Sequence, residues 1–376
     1  MQLMNPGCIC CVLSGMKEEY RGEGRVDRKL AVGWFDNAPF RTICGKYVSR
    51  IKEVFFAWPG VTASRPMAEL TPERKQLFFE DIAWCRNEGM ELDAIFNANC
   101  YGDIAISKAL AEHITEVLGE MDEKGLFPEH LTTTSPFIAT VVRRRFPEVK
   151  IRLSVNMYIE STQSLSYMEE LFDSFYVSID NHRSLEYVRM MADWSARHGK
   201  TPCIYVNSGC LRDCPFRQFH NNLHGHNRMG QSAAGEEFSF STFRCRTNYE
   251  HGRYADFLRA NWLRPEELPE YERYAGVVKL ATRRHPDPEG IIRAYATYSY
   301  DGDLAKIMDP FFEFLVPIDN ATLGRSPLWP AIRDCPDAHN CRRCGKCDAL
   351  MDELSRRSGR IGESAVAQTF AGFFKG

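Results

Sequence analysis

Eight short apolar runs recur along the chain, and most are separated from the next by a stretch with helical periodicity. The runs are KLAVGW (29–34), EVFFAW (53–58), LDAIFNANC (92–100), HLTTT (130–134), VKIRLSVNM (149–157), DSFYVSID (173–180), PCIYVNS (202–208) and GVVKLATR (276–283). A strand followed by a helix pairs in parallel with its neighbour, because the helix carries the chain back across one face of the sheet. Eight such units predict an α/β fold, a closed (β/α)8 TIM-like barrel, with an open doubly wound sheet as the alternative. The helical stretches carry their own punctuation. In TPERKQLFFEDIAWCRNEG, Thr71 is placed to cap and Pro72 takes the first helical position. In SLEYVRMMADWSARHGK, Leu185, Val188, Met191 and Ala192 share one face and Gly199 is the stop.

The alternation sets the domain boundaries. The barrel is expected over 29–300, with a long insertion, 209–275, after the seventh strand. A cysteine-rich extension follows over 301–376, and the first 28 residues form a poorly patterned segment, a candidate for disorder. With 376 residues, 44% of them hydrophobic, the chain can bury one large core plus an appendage. No run approaches the roughly 18 apolar residues of a membrane span, and the start MQLMNPGCICCVLSGM lacks a secretory pattern, so a cytoplasmic location is expected. A net charge of -3 argues against a general nucleic-acid binder. The arginines of VVRRRFP, Arg143 to Arg145, read as exposed helix surface.

One side of the strands turns polar at the C-terminal ends: Asn97 and Asn99, Thr132 and Thr134, Ser154 and Asn156, Ser178 and Asp180, Tyr205 and Asn207, Lys279 and Arg283. Barrel enzymes place their chemistry at that end, and a purely supporting barrel would use Val, Ile and Leu there. The threonines and serines also suit a blander role, capping loops and helices. Lys279 does not, because a lysine pointing into a barrel is costly unless it is paired or used. Lys279, Asp180, Asn156 and Asn207 are therefore the candidate catalytic residues, orienting substrate or moving protons.

Fourteen cysteines are many for a chain of this size, and a disulfide framework belongs to short secreted proteins. Seven fall into two groups suited to metal ligation. Cys210 and Cys214 flank a loop just past strand seven in NSGCLRDCPFRQFHNNLHGH, and Cys245 follows in FRCRTNY. The second group reads CPDAHNCRRCGKC, with Cys335, Cys341, Cys344 and Cys347; its C-x2-C-x2-C run is similar to that of ferredoxins. Thiolates suit zinc or iron–sulfur clusters. The His220-x3-His224 spacing keeps a Cys2His2 zinc site in play. The preferred reading is one iron–sulfur cluster on Cys210, Cys214 and Cys245, with the fourth ligand unassigned, and a second on the tail. Cys335 suits either group, should the tail fold over the barrel mouth. Radical S-adenosylmethionine chemistry is set aside, because its C-x3-C-x2-C pattern needs a cysteine where Arg217 stands. Arg212, Arg217, His220, His224 and His226 are expected to form a polar shell around the metal or substrate. Cys8, Cys10 and Cys11 are given no role, and Cys44 and Cys85 read as small apolar helix residues.

The strand ends SVNM and FDSFYVSID, the stretch VNSGCLRDCPFRQFH, and GVVKLATRRHPDPEGIIRAYATY with Lys279 and Arg283 resemble the collagenase-like peptidase U-32 family over about residues 29–300. The resemblance implies a barrel carrying a [4Fe-4S] cluster on four cysteines. It also implies relatives that hydroxylate ubiquinone precursors or RNA bases without oxygen, besides some reported proteases. The chain departs from that pattern in having three clear mouth cysteines and an extra cysteine-rich tail. Arg217, His220 and Arg283 become candidate cofactor-binding side chains. Three functions are carried forward. The first is an iron–sulfur redox enzyme acting on a small molecule or RNA base, the tail passing electrons from a donor the sequence does not identify. The second is a peptidase, although G-x-S-x-G and H-E-x-x-H motifs are absent. The third is a non-catalytic zinc-stabilised binding module. Homo- or hetero-oligomers fit all three.

Overall fold

The computed structural model describes residues 27–63, 70–227, 244–311 and 316–357. Eight parallel strands close into one barrel in chain order: β1 (Leu30–Gly33), β2 (Ile51–Phe56), β3 (Glu91–Phe96), β4 (His130–Thr133), β5 (Lys150–Leu153), β6 (Ser174–Tyr176), β7 (Thr201–Tyr205) and β8 (Val277–Leu280). The ring shuts where β8 meets β1, with Leu30 opposite Val278 and Ala31 opposite Lys279. Each strand coincides with one of the eight expected runs. Most are shorter than expected, because the polar C-terminal ends leave the sheet to become mouth loops. In VKIRLSVNM, for example, pairing stops at Leu153, and Val155–Met157 forms a single 3-10 turn capped by Ser154.

The helices form for the reasons the sequence offers. Thr71 accepts a hydrogen bond from the Arg74 amide at the start of helix Pro72–Asn87, with proline in the first turn. Helix Leu185–Arg197 buries Val188 and Met191, and Gly199 follows at φ +62°, a left-handed position that costs glycine little. Cys44 and Cys85 are fully buried. Arg143 is not idle surface: it pairs with Asp173 at 2.9 Å, tying helix Pro136–Arg145 to the loop before β6. The first 26 residues, with Cys8, Cys10 and Cys11, lie outside the described residues, as does the side chain of His226.

The outer faces of the strands meet the helices in one continuous apolar core. The inner faces do not follow the usual aliphatic filling. Arg152 of β5, Glu53 of β2 and Asp93 of β3 meet in the barrel interior with at most 1% of each exposed. Arg152 grips both Glu53 oxygens, with Nη2 at 3.0 Å from Oε2 and Nη1 bonded to Oε1, and its Nη1 also reaches Asp93 at 3.2 Å. Thr132 of β4 donates to Asp93 at 2.7 Å, and Ser174 of β6 accepts from the Arg152 Nε at 3.0 Å. Burial alone would raise the Glu53 carboxyl, but Arg152 more than reverses this and holds it below its usual value. Asp93 ends up raised, by burial and by the neighbouring Glu53 charge.

Candidate active site and thiol groups at the barrel mouth

Above the charged layer, toward the C-terminal ends of the strands, lies Lys279. Its Nζ sits 4.0 Å from the centroid of the Phe55 ring and 5.0 Å from that of Tyr176. Burial lowers the amine to about 8; Arg283 and Arg152 push the same way, and Asp93 and Glu53 oppose them. Small residues, among them Ala31 and Ala57, share this inner wall with Phe55 and Tyr176. Gly33 is needed here, because a Cβ would lie 2.7 Å from the Phe55 ring and 3.2 Å from the Arg283 Cβ. The lowered amine has a consequence for stability. The folded chain holds fewer protons than the unfolded one between about pH 8 and 10.5, so the penalty is fully present at pH 7 and fades as pH rises through that window. Lys279→Met is expected to raise stability at pH 7 by roughly 3 kcal/mol, a gain that disappears near pH 10.5. Denaturant titrations at the two pH values check this.

Asp180, just past β6, is an anchor for the cysteine loop. Its Oδ1 accepts from Arg217 Nη2 at 2.8 Å, from the Asp213 amide at 3.1 Å and from Asn261 Nδ2 at 2.8 Å, while Arg217 Nη1 bonds Oδ2. Burial would raise this carboxyl, and the Arg217 bonds keep it below its ordinary value. Asn207 is also a brace: its amide bonds the Ala281 and Ile307 carbonyls, and its Oδ1 accepts from the Ala281 amide at 2.8 Å. Asn156 lies on the mouth side, its carbonyl accepting from Asn99 at 3.1 Å and its side chain reaching Asn221 at 3.4 Å. Ser154, Ser178 and Thr134 serve loop backbone, the bland reading of those residues, whereas Thr132 belongs to the charged layer.

The insertion places Cys210 with care. Its amide bonds Ser208 Oγ, its carbonyl accepts from the Asn261 amide at 3.2 Å, and the preceding Gly209 donates to Asp309. The chain then turns through Asp213, at φ +51°, to Cys214 and into helix Arg217–Asn227. That helix crosses the mouth. Asn221 donates to the Tyr158 hydroxyl at 2.6 Å, and Gly225 packs so close to Cys100, in the loop after β3, that a Cβ would lie 2.9 Å from its carbonyl. On the same helix the Nε2 atoms of His220 and His224 are 2.7 Å apart. Cys245 lies on helix Arg244–Glu250, one turn before Tyr249. The Tyr249 hydroxyl is raised well above its usual value, first by burial and then by Cys245, Asp256, Cys210 and Cys214. Three thiols from two segments thus act on one phenol. Cys210 and Cys214 also act on Arg217.

The tail returns to this loop. His339, between Cys335 and Cys341, hydrogen-bonds Asp213 at 3.0 Å. A cleft of about 580 Å³ between tail and barrel is lined by Asp180, Arg183, Arg212, Cys335 and His339, among others. Burial lowers Arg212, and Asp180 and Asp213, followed by the Cys335 and Cys347 thiols, partly restore it. Arg183 is lowered to about 10 by burial and by Arg212; its guanidinium lies 5.6 Å and 5.2 Å from the ring centroids of Trp262 and Trp329, which stack on each other. Cys347 is half-buried at the start of helix Lys346–Arg357, its thiol raised by burial and drawn back by Arg259 and Arg183, while Cys341 and Cys344 are exposed. Cationic side chains therefore gather around thiols in both groups, which suits anionic, thiolate-ligated centres.

The sequence reading missed the Arg152–Glu53–Asp93 layer. The signal was present, since each is a charge on the inward alternation of an expected strand, the same argument that singled out Lys279. Glu91 and His130 also escaped it. With Glu53 they bring three donor atoms within 4.8 Å of one another near the N-terminal end of the barrel. His130 bonds Glu91 at 2.9 Å and holds its carboxyl near 2.

The fold and site define a closed eight-stranded parallel barrel with a thiol-bearing insertion and tail at its mouth, and comparison with known proteins places neighbours beside it. No family model matches the chain. An uncharacterized protease of Methanocaldococcus jannaschii, MJ1657, is 21% identical over 286 residues, spanning 73% of this chain and 81% of that protein. The U32 peptidase Mk0906 aligns with a TM-score of 0.48 at 12% identity, covering 71% of this chain and 97% of that structure. No helix among the described residues is long and apolar enough to cross a membrane.

Proposed function

We propose that the chain is an iron–sulfur-dependent redox enzyme that modifies a small polar or aromatic substrate, or an RNA base, in the barrel mouth, by oxygen-independent hydroxylation or a related reaction. The observation that carries this reading is the loop bearing Cys210 and Cys214, which Asp180 fixes past the end of β6 through Arg217, the Asp213 amide and Asn261. The thiolates of Cys210, Cys214 and Cys245, with a fourth ligand for which Cys335 is the candidate, would hold one cluster. Cys341, Cys344 and Cys347 would hold the tail's own centre. Such a group supplies one-electron chemistry when bound.

The chain's own residues do the rest. Asp180 and Arg217 fix the loop that presents Cys210 and Cys214, and the Arg217 charge offsets that of the thiolates. Helix Arg217–Asn227 covers the mouth and limits water. Asn156, Asn221 and Tyr158 offer hydrogen bonds to a polar substrate, and Lys279 with Arg283 offers a proton or a positive charge from below. The Asp213–His339 bond seats the tail on the loop, which would let a centre on the tail's thiols exchange electrons with one at the mouth.

The relative's name favours hydrolysis instead, and a structural zinc role is the third reading. Anaerobic purification followed by iron, sulfide and zinc analysis separates them. The redox reading expects brown protein with iron and acid-labile sulfide in similar amounts. A colourless, zinc-loaded or metal-free protein would end it.

A further inference from the structure

We infer that the cleft between tail and barrel binds the phosphate group of a small organic ligand, held by Arg212 and the first turn of helix Leu185–Arg197. The inference goes beyond the proposed function. It stands whichever metal the thiols hold, and its test reads binding rather than turnover.

The cleft, about 580 Å³, falls within the size of small-molecule sites, roughly 300–1,000 Å³. Arg183, Arg212 and Arg333 line it, and they are not equally spent. Arg333 is neutralised by Asp334 at 2.8 Å. Arg183, 1% exposed, gives its Nη atoms to the carbonyls of Leu258, Ala260 and Ile332, while its Nε has no hydrogen-bond partner. It has no carboxylate within ion-pair distance among the described residues. Arg212 is less committed still: it is half-buried, and among the described residues no acceptor takes its N–H groups. The carboxylates that act on it are used elsewhere, Asp180 by Arg217 and Asn261 and Asp213 by His339. A guanidinium drawn partly out of water without a partner costs free energy until a ligand supplies the acceptors.

The same cleft receives the start of a 13-residue helix. The Ser184 hydroxyl caps the Tyr187 amide. The first-turn amides of Leu185 and Glu186 have no acceptor within the helix and carry the positive end of its dipole. Of the acidic residues lining the cleft, Asp180 and Asp334 are paired, and the remaining one, Glu186, is exposed. The uncommitted charge is therefore positive. A phosphate matches this set, because two of its oxygens suit the guanidinium fork and a third suits the helix amides. A carboxylate would fill the fork and leave the helix end unused. Leu185 and Pro336 offer apolar surface to the rest of the ligand. Cys335 lines the cleft too, so a thiolate-ligated centre is the competing anion for Arg212.

Calorimetric titration of the full-length, anaerobically purified protein with phenyl phosphate, phenol and inorganic phosphate tests this. Phenyl phosphate is expected to bind, inorganic phosphate to bind more weakly and phenol not to bind. Arg212→Gln should weaken phenyl phosphate binding about tenfold or more, and Arg212→Lys by less, since it keeps the charge and loses the fork. Arg144→Gln, at an exposed position on helix Pro136–Arg145, should leave affinity unchanged. The parent chain supplies a measurement that needs no variant: phenyl phosphate at ten times its dissociation constant should slow phenylglyoxal labelling of Arg212 about tenfold, with Arg144 labelled at its usual rate. Phenol binding as tightly as its phosphate, unchanged affinity in Arg212→Gln or an unprotected Arg212 overturns the inference. Inorganic phosphate binding as tightly as phenyl phosphate overturns the organic ligand. Binding that appears only after Cys335→Ser would assign Arg212 to the thiolate centre and overturn the site.

Discussion

Arg152→Met is expected to destabilise the barrel by about 3–5 kcal/mol at pH 7, the usual cost of leaving a buried partner charge alone. Arg152 satisfies Glu53 on both oxygens and Asp93 on one, and all three are essentially unexposed. Without it, two carboxyls remain in the barrel interior, with Thr132 left as the hydrogen-bond donor to Asp93. The pH dependence follows in sign. In the native chain Glu53 is held below its ordinary value, so its contribution is present above the unfolded carboxylate pKa and lost on acidification. In the variant both carboxyls are raised, so the folded form binds protons more readily and loses stability as pH rises through the unfolded values. The gap between the two proteins is therefore widest at neutral pH and narrows toward pH 5. Urea titrations at both pH values measure it. The triple change Arg152→Met, Glu53→Gln and Asp93→Asn should recover part of the loss. A single variant within about 1 kcal/mol of the parent would mean that the charged layer is not load-sharing as described.

The second large effect concerns the thiols. Cys210→Ser combined with Cys214→Ser removes two donors from the mouth group and leaves the tail group intact. Iron and acid-labile sulfide should fall by roughly half if both groups carry a cluster of the same type. Turnover, once a substrate is known, should fall at least about a hundredfold, because the variant retains binding groups but not the redox centre. Cys245→Ser should produce the same spectroscopic loss, although it lies 31 residues further along the chain than Cys214. That equivalence is the specific consequence of the proposal that the three thiols share one cluster. Unchanged metal content in Cys245→Ser would separate that residue from the pair.

Much of the architecture was legible because strand and helix periods are local signals. The eight apolar runs and the caps at Thr71 and Gly199 needed only a few neighbouring residues to declare themselves. Lys279 was legible because a lysine on an inward position stands out. Arg152, Glu53 and Asp93 obey the same rule, but each neutralises the others, and a partner about a hundred residues away leaves no trace in a window of ten. Asp180 and Asn207 were read as chemical groups on position alone; their bonds to Arg217, Asp213, Asn261 and the Ala281 backbone show the holding role of such polar ends. The docking of the tail, carried by the Asp213–His339 contact, was raised only as a condition, since nothing local fixes where an extension folds.

The central claim is that the mouth thiols hold an iron–sulfur group independently of the tail's run. Its most direct test is anaerobic purification of the chain carrying Cys341→Ser, Cys344→Ser and Cys347→Ser, with iron and sulfide counted per chain and electron paramagnetic resonance recorded after reduction. The account predicts about four iron and four sulfide and a reduced-cluster signal that disappears when Cys210 is also changed. Zinc in place of iron, or a protein with no sulfide and no signal, would contradict it.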